Sequence, residues 1–168
     1  MLFYLPQGGT QMRYLIASDS HGRYQRLFKI LEKTGPYDGV IHCGDSQLPY
    51  RFFKNEITCP LYMVRGNCDS DVNLPLKEEI ELAGHKILIV HGHRQNVKWD
   101  LQELKHLAME AHAEIICFGH THEALNSKVG DMYFINPGSL ELPRNTAPSY
   151  AVMEIDEENI DIQLRFLN

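Results

Sequence analysis

Short apolar runs, bounded by polar or glycine-containing stretches, recur along the whole chain. Runs of four to eight residues rich in Ile, Leu, Val and aromatic residues are typical of buried strands. Turn signals such as Gly130-Asp131, between two neighbouring runs, indicate hairpins. The pattern predicts strands at residues 13–18, 39–42, 61–64, 78–82, 86–90, 114–118, 124–129, 132–135, 149–155 and 160–166.

Three other segments carry apolar residues at the spacing of one helix face. They are residues 21–34, 48–55 and 99–112. The first is followed by Gly35-Pro36, a common stop signal for a helix. A helix that starts near His21 directs its first backbone N–H groups towards any anion bound there.

Strand and helix alternate in the first part of the chain, and strands dominate the last part. This order fits one α/β domain with a mixed sheet, or two packed sheets flanked by helices. No shift in composition marks an internal boundary, so residues 12–168 are predicted to form a single domain behind a flexible leader, residues 1–11. Trp99 is assigned to the core together with Tyr24 and Phe28.

The composition is that of an ordinary globular protein, with 43% apolar and 23% charged residues among 168. A net charge of −6 disfavours stable binding to nucleic acid, but a small phosphate ligand fits if a metal supplies positive charge. Four cysteines without CxxC pairing favour a reduced, cytoplasmic protein. No apolar run approaches the ~20 residues that span a bilayer, so no membrane association is expected.

Side chains able to bind metal follow five of the predicted strands, at the point where each strand ends. Sites in open α/β sheets gather outside the carboxyl ends of strands, so these five loops are expected to converge. Their carboxylate, imidazole and amide groups suit Mn, Fe, Zn, Ni or Co better than Ca or Mg. Seven donors that include one shared carboxylate suit two metals ~3.5–4 Å apart. The candidates are Asp19, His21, Asp45, Asn67, His91, His120 and His122.

Each of these motifs alone has a plainer explanation. The pair Asp19-Ser20 is also typical of a helix cap, Gly44-Asp45 is also typical of a turn, and paired histidines also occur on protein surfaces. Cys43 and Cys68 are possible metal ligands, but small buried residues are the simpler interpretation. The joint occurrence of five such loops, each after an apolar run, favours a shared site. The remaining histidines are assigned to solvent (His85, His106, His112) or to a position behind the site (His42).

The ordered set SDSHG, HCGDS, RGNCD, HGHR, GHTH and INPGS resembles the calcineurin-like metallophosphoesterase superfamily. The residues in these motifs are similar to those of its small YfcE/MJ-type phosphodiesterase branch. The resemblance implies a four-layer α/β/β/α sandwich with two mixed β-sheets. It also implies a dinuclear centre in which Asp45 bridges two metals. The first metal would be bound by Asp19, His21 and His122, and the second by Asn67, His91 and His120.

The function implied by the resemblance is hydrolysis of a small phosphoester, most often a diester, by a hydroxide that bridges the metals. Two divalent ions per chain are expected, with Mn²⁺ favoured and Fe, Ni, Zn or Co as alternatives. Asn67 and His93 are assigned to the phosphate oxygens. Cys68 stands where larger relatives have a histidine on the leaving-group side, and Asp69 is assigned to orienting that loop.

A second class of function stays open at this point. A retromer subunit of eukaryotes has the same fold and works mainly as a binding surface, so the fold alone does not decide. A scaffold is free to lose metal ligands, whereas this chain has all seven. A homodimer or a higher homo-oligomer is the expected assembly.

Overall fold

The computed structural model describes residues 9–168, so residues 1–8 of the predicted leader lie outside the described part. The helices are α1 (Gln25–Thr34), α2 (Tyr50–Glu56) and α3 (Gln102–Glu110), with a short 3₁₀ turn at His93–Gln95. The strands are β1 (Met12–Ala17), β2 (Gly39–His42), β3 (Leu61–Met63), β4 (Lys77–Leu82), β5 (His85–Val90), β6 (Ile115–Cys117), β7 (Ala124–Val129), β8 (Met132–Pro137), β9 (Ser149–Ile155) and β10 (Ile160–Phe166).

The strands form two five-stranded sheets, both mixed. The first sheet has the order β10-β9-β1-β2-β3, with β1, β2 and β3 parallel and β9 and β10 antiparallel to their neighbours. The second has the order β4-β5-β6-β8-β7, with β5, β6 and β8 parallel. The hairpins β4–β5 and β7–β8 close its two edges.

Alternating side chains of the strands divide the core into an inner layer and two outer layers. Successive residues of a strand point to opposite faces of its sheet, so Leu15 and Ile16 enter different clusters. Ile16 joins Ile89 of the second sheet in the cluster between the sheets. Leu15 packs with Leu27 and Phe53 of α1 and α2, and Leu88 packs with Leu104 of α3. Helices therefore cover both outer faces, and the predicted four-layer α/β/β/α sandwich is confirmed.

The helix boundaries differ from the prediction. The first helix begins at Gln25 and not near His21, because Asp19, His21 and Gly22 have positive φ angles that a right-handed helix cannot contain. The first backbone N–H groups of α1 therefore do not lie at His21. The prediction that they point towards an anion bound there is wrong. The third helix is shorter than predicted by three residues at its start and two at its end.

Two side chains lie in other surroundings than predicted. Trp99 is 88% exposed and not part of the core, because it precedes α3 in an irregular segment. His85 is half-buried, with Nδ1 2.9 Å from the Glu114 carboxylate and Nε2 2.9 Å from the Asp156 carbonyl. Hairpin turns of the two sheets meet there, which the local sequence does not reveal. Within residues 9–168 no helix has both the length and the hydropathy to cross a bilayer.

Candidate metal centre

Five loops meet at one end of the sandwich, as the strand order predicts. They follow β1, β2 and β3, which are neighbours in one sheet, and β5 and β6, which are neighbours in the other. Backbone hydrogen bonds continue past the strands into the loops: the N–H of Asp19 donates to Gly44 O, and that of His21 to Asp45 O, both at 3.0 Å. The Gly119 N–H donates to His91 O at 3.0 Å. The loops are thus fixed to one another and to the sheet ends.

The first donor group consists of Asp19, His21 and His122, which approach one another from two loops more than a hundred residues apart. Asp19 Oδ1 lies 3.1 Å from His122 Nε2 and 3.8 Å from His21 Nε2. The two imidazole nitrogens are 3.3 Å apart. These three atoms all lie within 4.8 Å of one another, a spacing at which one ion can reach them all.

The second donor group surrounds His91. Its Nε2 lies 3.3 Å from Asp45 Oδ2 and 3.1 Å from Asn67 Oδ1. Asp45 also lies within 4.8 Å of both Asp19 and His91, so its carboxylate stands between the two groups. Asp19, Asp45 and His91 are buried, and Asn67 is exposed at the mouth.

The protonation of these rings follows from what their other nitrogens touch. His91 Nδ1 donates to the Cys43 carbonyl at 2.8 Å, and His122 Nδ1 donates to the Leu142 carbonyl at 2.7 Å. In the neutral ring each Nε2 then carries a lone pair, aimed at a carboxylate oxygen that also has only lone pairs. Asp19 Oδ1 is buried and has no hydrogen-bond partner. Converging acceptors of this kind call for a cation, and a fixed Nδ1–H is the usual arrangement in histidine metal ligands.

The pKa shifts agree with this demand for positive charge. The Asp19 carboxylate, 3.1 Å away, raises the pKa of His122, and Asp45 raises that of His91 against the opposing effect of burial. Burial alone would raise the pKa of Asp45, but the contacts with His91 and the Cys68 N–H lower it well below its ordinary value. Asp45 is therefore a carboxylate at neutral pH.

His120 and His93 stand at the margin of the second group. The ring centroid of His120 is 5.1 Å from that of His91, and that of His93 is 5.4 Å from it. Among the described residues His120 belongs to none of the donor groups within 4.8 Å. Burial lowers its pKa to about 4, and burial also lowers the pKa of His93, whose buried Nδ1 has no hydrogen-bond partner. Both rings are neutral at pH 7, with a nitrogen lone pair available.

Asp69 holds the loops that carry Asp45 and Asn67. Its Oδ2 accepts the N–H groups of Asp45 and Gly66, both at 2.8 Å, and its Oδ1 accepts that of Gln47 at 2.7 Å. Asp69 thus contacts both loops, and its function in orienting them stays a prediction. Cys68 is exposed and not buried, because its loop leaves β3 towards the mouth of the site.

Strained backbone places several of the candidate donors. Asp19, His21, Asp45, His120 and His122 all have φ between 43° and 68°, a region that costs on the order of 1–3 kcal/mol for such residues. Close packing adds a second constraint: a Cβ at Gly119 would lie 2.6 Å from Asp19 Oδ2. Strain of this kind is concentrated at functional sites, because the surrounding structure has to enforce it.

The motif Ile135 to Ser139 supports the centre, although no function was predicted for its residues. The Asn136 amide donates to Gly119 O and to Thr121 Oγ1, both at 3.0 Å. Ser139 Oγ donates to the Asp19 carbonyl at 2.8 Å and accepts the Leu142 N–H at 2.8 Å. The motif thus supports both the loop with His120 and His122 and the one with Asp19. His42 lies behind the site as predicted, buried and 3.0 Å from Ser20 Oγ.

Fold and site together define a metal-dependent phosphoesterase, and comparison with known proteins gives the family. Residues 12–158 match the model of the calcineurin-like phosphoesterase superfamily domain, and the chain belongs to this family. A probable metallophosphoesterase of Bacillus subtilis, YsnB, is 37% identical over 149 residues, covering 88% of this chain and 86% of the relative. The phosphodiesterase YfcE of Escherichia coli K12 is 25% identical, covering 86% and 89%. The predicted family and class of enzyme are confirmed.

Solved structures support the same fold. A conserved protein of Streptococcus pneumoniae, described as a predicted phosphoesterase, superposes with a TM-score of 0.84 at 30% identity, covering 94% of this chain and 91% of that one. Vacuolar protein sorting 29 of Cryptosporidium parvum superposes with a TM-score of 0.80 at 22% identity, covering 94% and 92%. The second similarity is one of fold alone.

Proposed function

We propose that the protein is a metal-dependent phosphodiesterase that hydrolyses a small phosphoester at a dinuclear centre. The main support is the convergence of lone pairs on two neighbouring points, with the buried and unpartnered Asp19 Oδ1 at one of them. A phosphoester is the substrate class of the family, and two curated relatives carry the names metallophosphoesterase and phosphodiesterase.

The donor set fits two divalent ions. The first ion would be held by Asp19, His21 and His122, and the second by Asn67, His91 and His120. Asp45 would be a ligand of both ions. His91 and His122 are already fixed in the tautomer that offers Nε2, so little reorganisation is needed to bind. Mn²⁺ is the favoured ion because carboxylate and amide oxygen donors suit it, and the imidazoles also accept Fe, Ni, Zn or Co. When bound, two such ions lower the pKa of a shared water and supply hydroxide at neutral pH.

The side chains at the mouth would orient the substrate. The Asn67 amide is exposed beside His91, where it can donate to a phosphate oxygen while its own oxygen faces the centre. A neutral His93 ring can donate one N–H to another phosphate oxygen. Cys68 lies on the same loop as Asn67, on the side predicted for the leaving group, and Asp69 keeps that loop against Asp45.

The alternative is a binding module without turnover. A neighbour named vacuolar protein sorting 29 has the same fold, and a second one, from Entamoeba histolytica, is titled as a complex with zinc. Metal binding therefore does not distinguish a phosphodiesterase from a binding module, whereas turnover of a phosphoester does. All seven predicted donors are present in this chain, which favours catalysis. The predicted cytoplasmic location, homo-oligomer and lack of stable nucleic-acid binding stay predictions.

Metal analysis of three variants tests the dinuclear arrangement. Asp45→Asn weakens a donor common to both ions, so both should be lost or bound weakly, whereas His21→Ala should affect one. Asp71→Asn is the matched control, because this carboxylate lies nearby and contacts Tyr50 and Asn73 outside the centre. Equal loss of a single ion in Asp45→Asn and His21→Ala would contradict a bridging Asp45. A screen of phosphomonoesters, cyclic nucleotides and diesters with several metals would then define the substrate.

A further inference from the structure

Cys68, at the exposed edge of the site, offers a thiol as a metal donor, and the proposed dinuclear arrangement does not use it. Of the four cysteines, Cys43 and Cys117 are buried, Cys59 is intermediate, and Cys68 alone is exposed. Its sulfur, a nitrogen of His21 and a carboxylate oxygen of Asp45 all lie within 4.8 Å of one another. One ion can therefore reach a thiol, an imidazole and a carboxylate that come from three different loops.

The position of this sulfur is fixed by the surrounding contacts. The Cys68 N–H donates to Asp45 Oδ1 at 2.8 Å, and the Asn67 amide donates to the sulfur at 3.3 Å. Asp45 is in turn held by Asp69, so the loop cannot withdraw without breaking partly buried hydrogen bonds. Asp19 Oδ1, which is buried, lies 3.8 Å from His21 Nε2 and belongs to the neighbouring donor group with His122.

The chemistry of this set differs from that of the two nitrogen and oxygen groups. Thiolate is a soft ligand that selects zinc, copper(I) and similar ions, whereas carboxylates and amides suit manganese and magnesium. One sulfur, one imidazole nitrogen and one carboxylate oxygen, with a fourth position open, form a set that zinc accepts in tetrahedral geometry. Manganese gains little from the sulfur.

We propose that His21, Asp45 and Cys68 form an alternative site for thiophilic divalent ions, which overlaps the first position of the dinuclear centre. The Cys68 S–H proton passes to solvent as the sulfur–metal bond forms, so no oxidant or reductant is involved. Because His21 and Asp45 are shared, an ion bound in this way excludes manganese from that position. The consequence for turnover rests on the proposed function, but the site itself rests only on the donor geometry.

Cobalt(II) titration of the metal-free full chain tests the sulfur bond directly, because a cobalt–thiolate bond gives a charge-transfer band in the near ultraviolet. The band should appear in the unmodified protein and in the matched control Cys59→Ser, and it should be absent from Cys68→Ser and Cys68→Ala. The visible bands of cobalt on nitrogen and oxygen donors should remain in all four proteins. A charge-transfer band that persists without Cys68, or that is missing from cobalt-loaded unmodified protein, overturns the proposal.

Inhibition by cadmium separates this proposal from the proposed function. In manganese-loaded enzyme, the cadmium concentration that halves diester turnover should rise at least about tenfold in Cys68→Ser relative to Cys59→Ser, equivalent to ~1.4 kcal/mol of binding. An unchanged cadmium response would contradict a shared site. A protein with the cobalt–thiolate band but no turnover would refute the proposed function alone, and an active protein without the band would refute this site alone.

Discussion

Replacing Asp69 by alanine should destabilise the protein and loosen the candidate centre together. The carboxylate accepts backbone N–H groups from Asp45, Gly66 and Gln47 at 2.7–2.8 Å, and Ser46 Oγ at 3.3 Å. Asp45 and Gly66 are buried, so water cannot easily replace the lost acceptor for their N–H groups. A buried donor left unpaired costs on the order of 1–3 kcal/mol, and these two bonds are only partly buried, so their loss together should cost about 2–3 kcal/mol. The Gln47 N–H is exposed and adds little.

Urea unfolding of the metal-free protein measures this difference. The midpoint of Asp69→Ala should fall clearly, with little change in slope. Asp71→Ala is the matched control: its carboxylate also accepts two backbone N–H groups, both at 3.1 Å, but it lies at the surface and its midpoint should shift much less. Manganese affinity of Asp69→Ala should also fall, by roughly 10–100-fold, as is typical when a partner that orients a metal ligand is removed. Equal midpoints for the two alanine variants would refute the assignment of Asp69 as the residue that holds the centre together.

Four further changes probe other parts of the structure. Ser139→Ala removes the hydroxyl between two loops of the centre and should weaken manganese binding by about 10-fold or more, measured by titration. Burial lowers the pKa of His85, but the contact with Glu114 outweighs burial, so the pKa is raised above its ordinary value. The stabilisation from this contact is therefore complete below pH ~6.5 and is lost as the pH rises through the raised pKa. His85→Asn should thus lower the unfolding midpoint more at about pH 5.5 than at about pH 8.5, and the reverse order would contradict the contact. Trp99→Ala should change stability by less than about 0.5 kcal/mol, because the side chain is 88% exposed. Cys68→His should raise kcat/KM for alkyl esters more than for p-nitrophenyl esters, because imidazole is a better general acid than a thiol; an equal rise for both would exclude that function.

The periodic part of the fold could be predicted from sequence. Each predicted strand exists, and for a central strand such as Lys86 to Val90 the run of Ile, Leu and Val satisfies both covered faces. The rim of candidate donors could also be predicted, since polar residues directly after such runs stand at the carboxyl ends of parallel strands. The order of those loops indicates the family, and the matched residues 12–158 agree with it.

Contacts between distant segments could not be predicted from local pattern. The positive φ angles of Asp19 and His21 accompany hydrogen bonds to Gly44 O and Asp45 O, so the sequence pattern predicts a helix start four residues too early. The contact of Ser139 with the Asp19 carbonyl spans 120 positions. His85 is held by residues 29 and 71 positions away, and nothing in its own hairpin distinguishes it from a solvent-facing histidine.

Turnover of bis(p-nitrophenyl) phosphate by the purified chain is the most direct test of the central claim. The manganese-loaded protein should release p-nitrophenol, a chelator should abolish the release, and added manganese should restore it. Asp45→Asn should lose nearly all activity while Asp71→Asn keeps it, which excludes a contaminating enzyme. A folded, manganese-loaded protein that hydrolyses no member of a panel of diesters, cyclic nucleotides and monoesters would contradict the account and favour a binding module.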